Sequence, residues 1–176
     1  ALARAGLAHI HFESVHPFED GNGRIGRAIS EKALSQSLGR PTLIAIAQLI
    51  EQKRKAYYVA LQSGSKGLDV NEWLHFFCDI VLKAQDYTQS MIDFLIEKGK
   101  FYERYSSKLN NRQAKAIERM FREGVGGFKG GLSAENYIGI TGAARATATR
   151  DLQSLVECGA LIKSGELKYT RYSLNL

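Results

Sequence analysis

The run His16-Pro17-Phe18-Glu19-Asp20-Gly21-Asn22-Gly23-Arg24-Ile25-Gly26-Arg27 leaves the chain around it little freedom. Pro17 disfavours helix at the residue before it, so a helix arriving from the N-terminal side must stop there. Gly21 and Gly23 tolerate the positive φ values of a concave turn in which backbone N–H groups converge. The helical run that follows adds unsatisfied N-terminal amides and the positive end of its dipole, which makes the loop a seat for an anion. A helix end carries only about half an elementary charge, too little for a triphosphate. Arg24 and Arg27, three apart on the first turns, supply the rest and can clamp different phosphates. Glu19 offers carboxylate oxygen to a hard divalent cation. His16 is the one group in the run suited to moving a proton near neutral pH.

The same residues spell a second pattern. Gly21-Asn22-Gly23-Arg24-Ile25-Gly26 reads G-x-G-x-x-G, the dinucleotide fingerprint, which works only after a strand and with an acidic residue about twenty positions on. Upstream, Ala1 to Ala8 reads as helix, and Arg40 to Ile46 offers no acid. Context excludes that reading.

As a whole the run resembles the Fic family signature, His-Pro-Phe-(Asp/Glu)-x-Gly-Asn-Gly-Arg-x-x-Arg, and matches each of its fixed positions. Fic proteins transfer AMP from ATP to a protein hydroxyl; a few transfer other phosphate-containing groups or reverse the reaction. The resemblance implies that His16 deprotonates a target Ser, Thr or Tyr. It implies that Phe18 buries its ring and fixes the loop, that Glu19 ligates Mg2+, and that Gly21, Asn22 and Gly23 cradle the α- and β-phosphates. Arg24 and Arg27 would hold the β- and γ-phosphates. Downstream, Arg54-Lys55-Ala56-Tyr57-Tyr58-Val59-Ala60-Leu61 resembles a second family element, a tyrosine pair lying along the nucleotide. Family members commonly carry Asn seven residues after the second tyrosine, where Ser65 stands here. Tyr57 and Tyr58 serve equally well as core aromatics with a wet hydroxyl.

Taken in order, the chain reads as mostly α: a Fic-type helical core followed by a small α+β winged-helix domain. Ala1 to Val15 is helical; His9 and His11, two apart, point nearly opposite ways on a helix, so they are read as surface or packing histidines rather than zinc ligands. Gly23 to Leu38 is a helix stopped by Gly39, with Ile25 and Ile29 as core positions. Leu43 to about Ser63 is one helix or two, and Ser63-Gly64-Ser65-Lys66-Gly67 a loop. Asp69 or Asn71 caps a long helix from about Glu72 to Tyr105. Its buried stripe runs from Trp73 through Phe76, Phe77, Ile80, Val81 and Ala84, and on to Ile92, Leu95 and Ile96. Ser106-Ser107 is the expected hinge, giving a first domain 1–105 (the C-terminal portion of a Fic catalytic domain) and a second 106–176.

In the second domain Arg112 to Arg122 is a helix with Ala116, Ile117, Met120 and Phe121 inward. Ser133 caps a short helix through Tyr137, Gly142 turns the chain, and Ala143 to Cys158 is the next helix. Leu161 to Lys163 and Tyr169 to Leu174 form a hairpin. This order is that of a winged helix-turn-helix. Arg145, Thr147, Thr149 and Arg150 on the third helix, with Lys163, Lys168 and Arg171 on the wing, are candidates for DNA contact.

Charge supports the division. Residues 1–99 hold 11 Lys+Arg and 11 Asp+Glu; residues 100–176 hold the remaining 13 and 7, which is the entire net charge of +6. The excess suits an acidic partner, DNA being the candidate, or simply a solvated basic face. Cys78 and Cys158 lack metal-ligand spacing and read as reduced thiols of a cytoplasmic protein. No stretch approaches the ~20 apolar residues of a membrane span. The chain begins without Met inside a helix, so a longer protein is expected. The family's upstream target-docking flap is not in the sequence. Glu135-Asn136 and Glu123-Gly124 end like its inhibitory helix but lack the Ser/Thr four residues before the glutamate. The expected activity is protein adenylyl transfer, with ATP as substrate, Mg2+ as cofactor and a hydroxyl-bearing protein as target. Another nucleotide, AMP removal, or a nucleotide-sensing DNA-binding regulator remain alternatives, and a homodimer is left open.

Overall fold

A computed structural model describes residues 1–67 and 69–176. The chain forms two compact units, Ala1–Gln89 and Ser90–Leu176. The division falls within one long helix, whereas the sequence places a boundary after Tyr105.

The first unit opens with α1 (Leu2–Val15), which ends where Pro17 requires it to. His16 takes the left-handed conformation, φ 46° and ψ 56°, and its N–H donates to the Phe12 carbonyl at 3.0 Å. Gly21, at φ 87°, then starts α2 (Asn22–Leu38), and Gly39 closes it in the left-handed region. The buried face of α2 is Asn22, Gly26, Ser30, Ala33 and Leu34. Ile25, expected in the core, is 37% exposed, and Ile29 is only half-buried. The reason is close approach: a Cβ at Gly26 would lie 2.5 Å from Glu13 Oε1 and 3.4 Å from His9 Cε1 of α1. Small residues, not the isoleucines, face the neighbouring helix.

The run after Pro41 is two helices, α3 (Ile46–Gln52) and α4 (Arg54–Ser65). The glycine-serine stretch read as a loop is helical through Ser65. Gly64 is buried there because a Cβ would meet Ile10 Cδ1 at 2.5 Å and Trp73 Cβ at 2.9 Å. This glycine serves packing rather than turning. Asp69 accepts the Asn71 N–H at 2.9 Å at the start of α5 (Asn71–Tyr105). Trp73, Phe77, Ile80, Val81 and Ala84 of α5 close a core with Ala5, Ile10, Leu34, Ile46, Ile50 and Tyr57. The stripe does not extend through Ile92, Leu95 and Ile96, which are exposed. Phe101 and Tyr105 of α5 are buried in the second unit's core, with Phe94 and Tyr102 packed against it.

That unit continues with α6 (Asn111–Arg122), α7 (Ala134–Thr141) and α8 (Arg145–Glu157), then β1 (Leu161–Ser164) antiparallel to β2 (Arg171–Leu174). Capping boxes begin two of the helices, Asn110 with Gln113 and Ser133 with Asn136. Ala116, Ile117, Met120 and Phe121 are buried as expected, against Leu132, Tyr137, Ala148, Leu152 and Leu155. The strands pair from Leu161↔Leu174 to Ser164↔Arg171, and Leu132 bridges Tyr172, a pairing no sequence pattern announced. The molecule is mostly α with one small sheet. Among the described residues no helix is long and apolar enough to cross a membrane.

Candidate functional site

The turn between α1 and α2 is built by its own polar groups. Asn22 is buried, and its side chain brackets the Phe18 peptide: Oδ1 accepts the Phe18 N–H at 3.1 Å and Nδ2 donates to the Phe18 carbonyl at 2.5 Å. Asp20 accepts the Gly21 N–H at 2.6 Å and the Arg24 guanidinium at 3.1 Å. The loop is thus held by Asn22 and not by a buried Phe18 ring. That ring, expected inside, is 49% exposed and tilts against Phe12 with centroids 6.3 Å apart. A chain compelled to turn at His16-Pro17 has too few residues before α2 to return an aromatic side chain to the core.

The turn borders an open cleft of about 380 Å³, within the range of small-ligand sites. His16, Glu19, Gly21, Asn22, Gly23, Arg24 and Arg27 all line it, as do Tyr57 and Tyr58 from α4. The left-handed turn at His16 swings its imidazole off the end of α1 and into this space. Tyr57 is 4% exposed, with its hydroxyl hydrogen-bonded to His9 Nε2 at 2.9 Å. Burial pushes the Tyr57 phenol pKa upward, followed by the charge of Glu13. Tyr58 is 54% exposed and offers a ring face at the cleft, with the Arg54 guanidinium 6.0 Å from its centroid.

Sequence reasoning missed four participants. Ile50, Glu51 and Arg54 line the cleft from α3 and α4; Arg54 stood in the quoted tyrosine element, where a third guanidinium beside an anion seat was the available signal. The fourth is Glu13, whose Oε1 is buried against α2. His9, read as a packing or surface histidine, is a packing one. It is fully buried, stacked on Trp73 at 5.4 Å, and burial lowers its pKa to about 4, so it is neutral.

The α8 candidates separate. Arg145, Thr149 and Arg150 are exposed, on the face opposite buried Ala148, Leu152 and Leu155, whereas Thr147 is half-buried. Arg145 is 3.7 Å from the Glu135 carboxylate. Lys163 and Lys168 are exposed on the hairpin. Arg171 turns back on its own strand, donating to the carbonyls of Thr170 at 2.8 Å and Lys168 at 3.2 Å. Its hydrogen bonds hold the hairpin turn.

Residues 1–34 match the sequence profile of the Fic/DOC family. A protein adenylyltransferase Fic of Drosophila virilis is 33% identical over 82 residues, 47% of this chain and 16% of the relative. That of Drosophila melanogaster gives 33% over 82 residues, 47% and 15%. The chain therefore spans about a sixth of the length of these relatives. A crystal structure of a Fic family protein from Desulfovibrio desulfuricans aligns with 98% of this chain and 49% of its own, at 21% identity and a TM-score of 0.47.

Proposed function

We propose that the chain, whose residues 1–34 match the Fic/DOC profile, is a Fic-type protein and that its cleft transfers AMP from ATP to a Ser, Thr or Tyr hydroxyl of a target protein. The observation that carries this is the convergence of the His16 imidazole, the Glu19 carboxylate, a glycine turn at a helix start and the guanidiniums of Arg24 and Arg27 on a single cleft. His16 takes the proton of the incoming hydroxyl as its oxygen bonds to the α-phosphorus. The bond from that phosphorus to the bridging oxygen breaks, and pyrophosphate leaves. Arg24 and Arg27 hold the β- and γ-phosphates, the first-turn amides of α2 face the chain of phosphates, and Tyr58 presents its ring to the base. Glu19 would hold Mg2+. One exposed carboxylate beside a phosphate seat fits an ion that favours one or two protein oxygens plus substrate phosphates. When bound, the ion neutralises phosphate charge.

Residues 1–105 are then the C-terminal portion of a Fic catalytic domain, working in the cytoplasm, and residues 106–176 a winged helix-turn-helix. The test is His16→Ala. Transfer of labelled AMP falls by about 10²–10⁴-fold while ATP binding is retained; persistent transfer would remove His16 from the reaction. Transfer from another nucleotide, or release of AMP from a modified protein, would redirect the reading within the same cleft.

The exposed face of α8 supports a second reading, binding of duplex DNA by the second unit. Two arginines, Thr149 and Gln153 share that solvent face with no carboxylate before Glu157, suiting phosphate and base contact in a groove. Joint Arg145→Ala and Arg150→Ala substitution then abolishes salt-dependent duplex binding. Binding retained at unchanged salt slope would exclude that face.

A further inference from the structure

We propose that Glu13 is a positioning residue of the cleft: an anion built in behind the first turn of α2 that sets the charge felt by Arg27 and His16. The proposal rests on the reading of the cleft as a nucleotide site. Glu13 stands on α1 three residues before His16, and its Oε1 is buried with no hydrogen-bond partner among the described residues. It lies against α2 where side chains are missing. A Cβ at Gly26 would fall 2.5 Å from this oxygen. A Cβ at Gly23 would fall 3.9 Å from it and 3.4 Å from Arg27 Nη1, so carboxyl and guanidinium flank the same glycine. Gly26 must lack a side chain for Glu13 to occupy this place.

A carboxylate oxygen hidden from water with no donor is unfavourable unless nearby positive charge offsets it. Here the offset comes from the positive end of α2 and from the Arg27 guanidinium. Burial pushes the Glu13 carboxyl above its ordinary range, and the charges of His16 and then Arg27 pull it partly back. The other groups facing this cluster are accounted for. His9, one turn earlier on α1, is neutral. The Tyr57 phenol, from α4, is held protonated. Glu31, on α2 four residues beyond Arg27, is also raised by burial and drawn down by Arg27.

Glu13 therefore acts in two directions. Its charge opposes phosphates arriving at Arg27, which loosens ground-state binding. The same charge supports the imidazolium that His16 becomes on accepting a proton, which favours the transition state. Loss of the carboxylate should consequently tighten nucleotide binding while weakening the base, a split that a merely structural residue would not produce.

The experiment is Glu13→Gln, which keeps shape and removes charge, read by two measurements on the folded protein. Calorimetry with inorganic pyrophosphate should show binding about five-fold tighter, from loss of one unit of opposing charge at partly screened range. Steady-state kinetics of AMP transfer should show KM and kcat falling together, a split that lost packing would not give. Unchanged pyrophosphate affinity with unchanged KM would overturn the proposal. Should Glu13→Gln not fold, Gly26→Ala displaces the carboxyl with a Cβ and is held to the same expectations. A wild-type protein that binds neither ATP nor pyrophosphate would remove the nucleotide reading and the proposal with it; a wild type that binds pyrophosphate beside a variant that binds it no tighter would remove Glu13 alone.

Discussion

Each unit buries a polar network, and the two are completed to different degrees. In the second unit Asp151 is a saturated hub. Its carboxylate accepts Arg112 Nε at 2.7 Å and Nη2 at 3.0 Å, Asn110 Nδ2 at 3.1 Å and the Tyr137 hydroxyl at 3.0 Å. Its backbone carbonyl accepts Gln113 Nε2 at 3.0 Å. In the first unit His9 and Tyr57 share one hydrogen bond, while His9 Nδ1 and Glu13 Oε1 are buried without a partner among the described residues. A saturated network fixes one packing of the helices it ties. The incomplete one lies behind the cleft, which its Tyr57 lines, and a polar group left unpartnered there is the kind of exception that a functional role would explain.

The two networks should part most widely in acid. His9, whose pKa burial lowers from the ordinary 6.5 to about 4, must stay neutral in the folded state. Between those values the unfolded chain binds a proton that the folded one refuses, so stability falls with pH from about 6.5 and levels off near 4. The span corresponds to roughly 3 kcal/mol. Glu13 and Glu31, raised by burial, work oppositely: the folded state protonates first, which restores some stability, but only at the lower end of that window. Asp151 is held below the ordinary carboxylate range, first by its hydrogen bond from Arg112. Its contribution persists above its unfolded pKa and is lost only as pH falls through its lower folded value. Urea midpoints read from fluorescence of Trp73, the sole tryptophan, should thus decline between pH 6.5 and 5, and His9→Gln should flatten that slope. A flat wild-type profile would dissolve the contrast.

Asp151→Asn sharpens it from the other side. The variant leaves an amide facing the Arg112 donors and should cost about 2–3 kcal/mol, measured as a lower urea midpoint by circular dichroism. Arg112 is partly exposed and can turn to solvent, which keeps the cost below that of a fully stranded charge. A loss under half a kilocalorie would mean that the hub is ornamental. Gly64→Ala follows at about 1–2 kcal/mol. Its Cβ meets the Trp73 Cβ, which cannot move without its helix, and better helix propensity returns part of the loss.

Those two networks also mark what a reader of the sequence could and could not see. The turn that borders the cleft was legible because it is local: Pro17 ends α1, Gly21 at positive φ starts α2, and two arginines follow within twelve residues. The long helix and the caps at Asp69 and Ser133 were legible for the same reason, whereas the Asn110 cap of α6 was not. Ile25 and Ile29 misled because periodicity finds apolar residues, whereas α1 and α2 meet through Gly26 and Ser30, whose smallness is the signal. Gly64 misled likewise, a glycine taken for a turn that is a contact point in a helix. Asp151, Tyr137 and Arg112 lie far apart in the chain, and no spacing rule joins them; the same holds for His9 with Tyr57 and for Leu132 with Tyr172. What depends on two distant segments meeting has no periodic trace.

The smallest effect on stability carries a large one on binding. Arg24 and Asp20 form an exposed i,i+4 pair at 3.1 Å, with side chains 72% and 92% accessible. Such a pair contributes about 0–1 kcal/mol, so Asp20→Asn should leave the urea midpoint almost where it was. The carboxylate nevertheless occupies one of the three guanidiniums that line the cleft, and an incoming anion must compete with it. Releasing Arg24 should tighten pyrophosphate binding several-fold at low salt, with the gain shrinking as ionic strength rises. If the substitution lowers stability and leaves binding unchanged, Arg24 belongs to the scaffold. The first unit's polar groups would then divide no differently from those around Asp151.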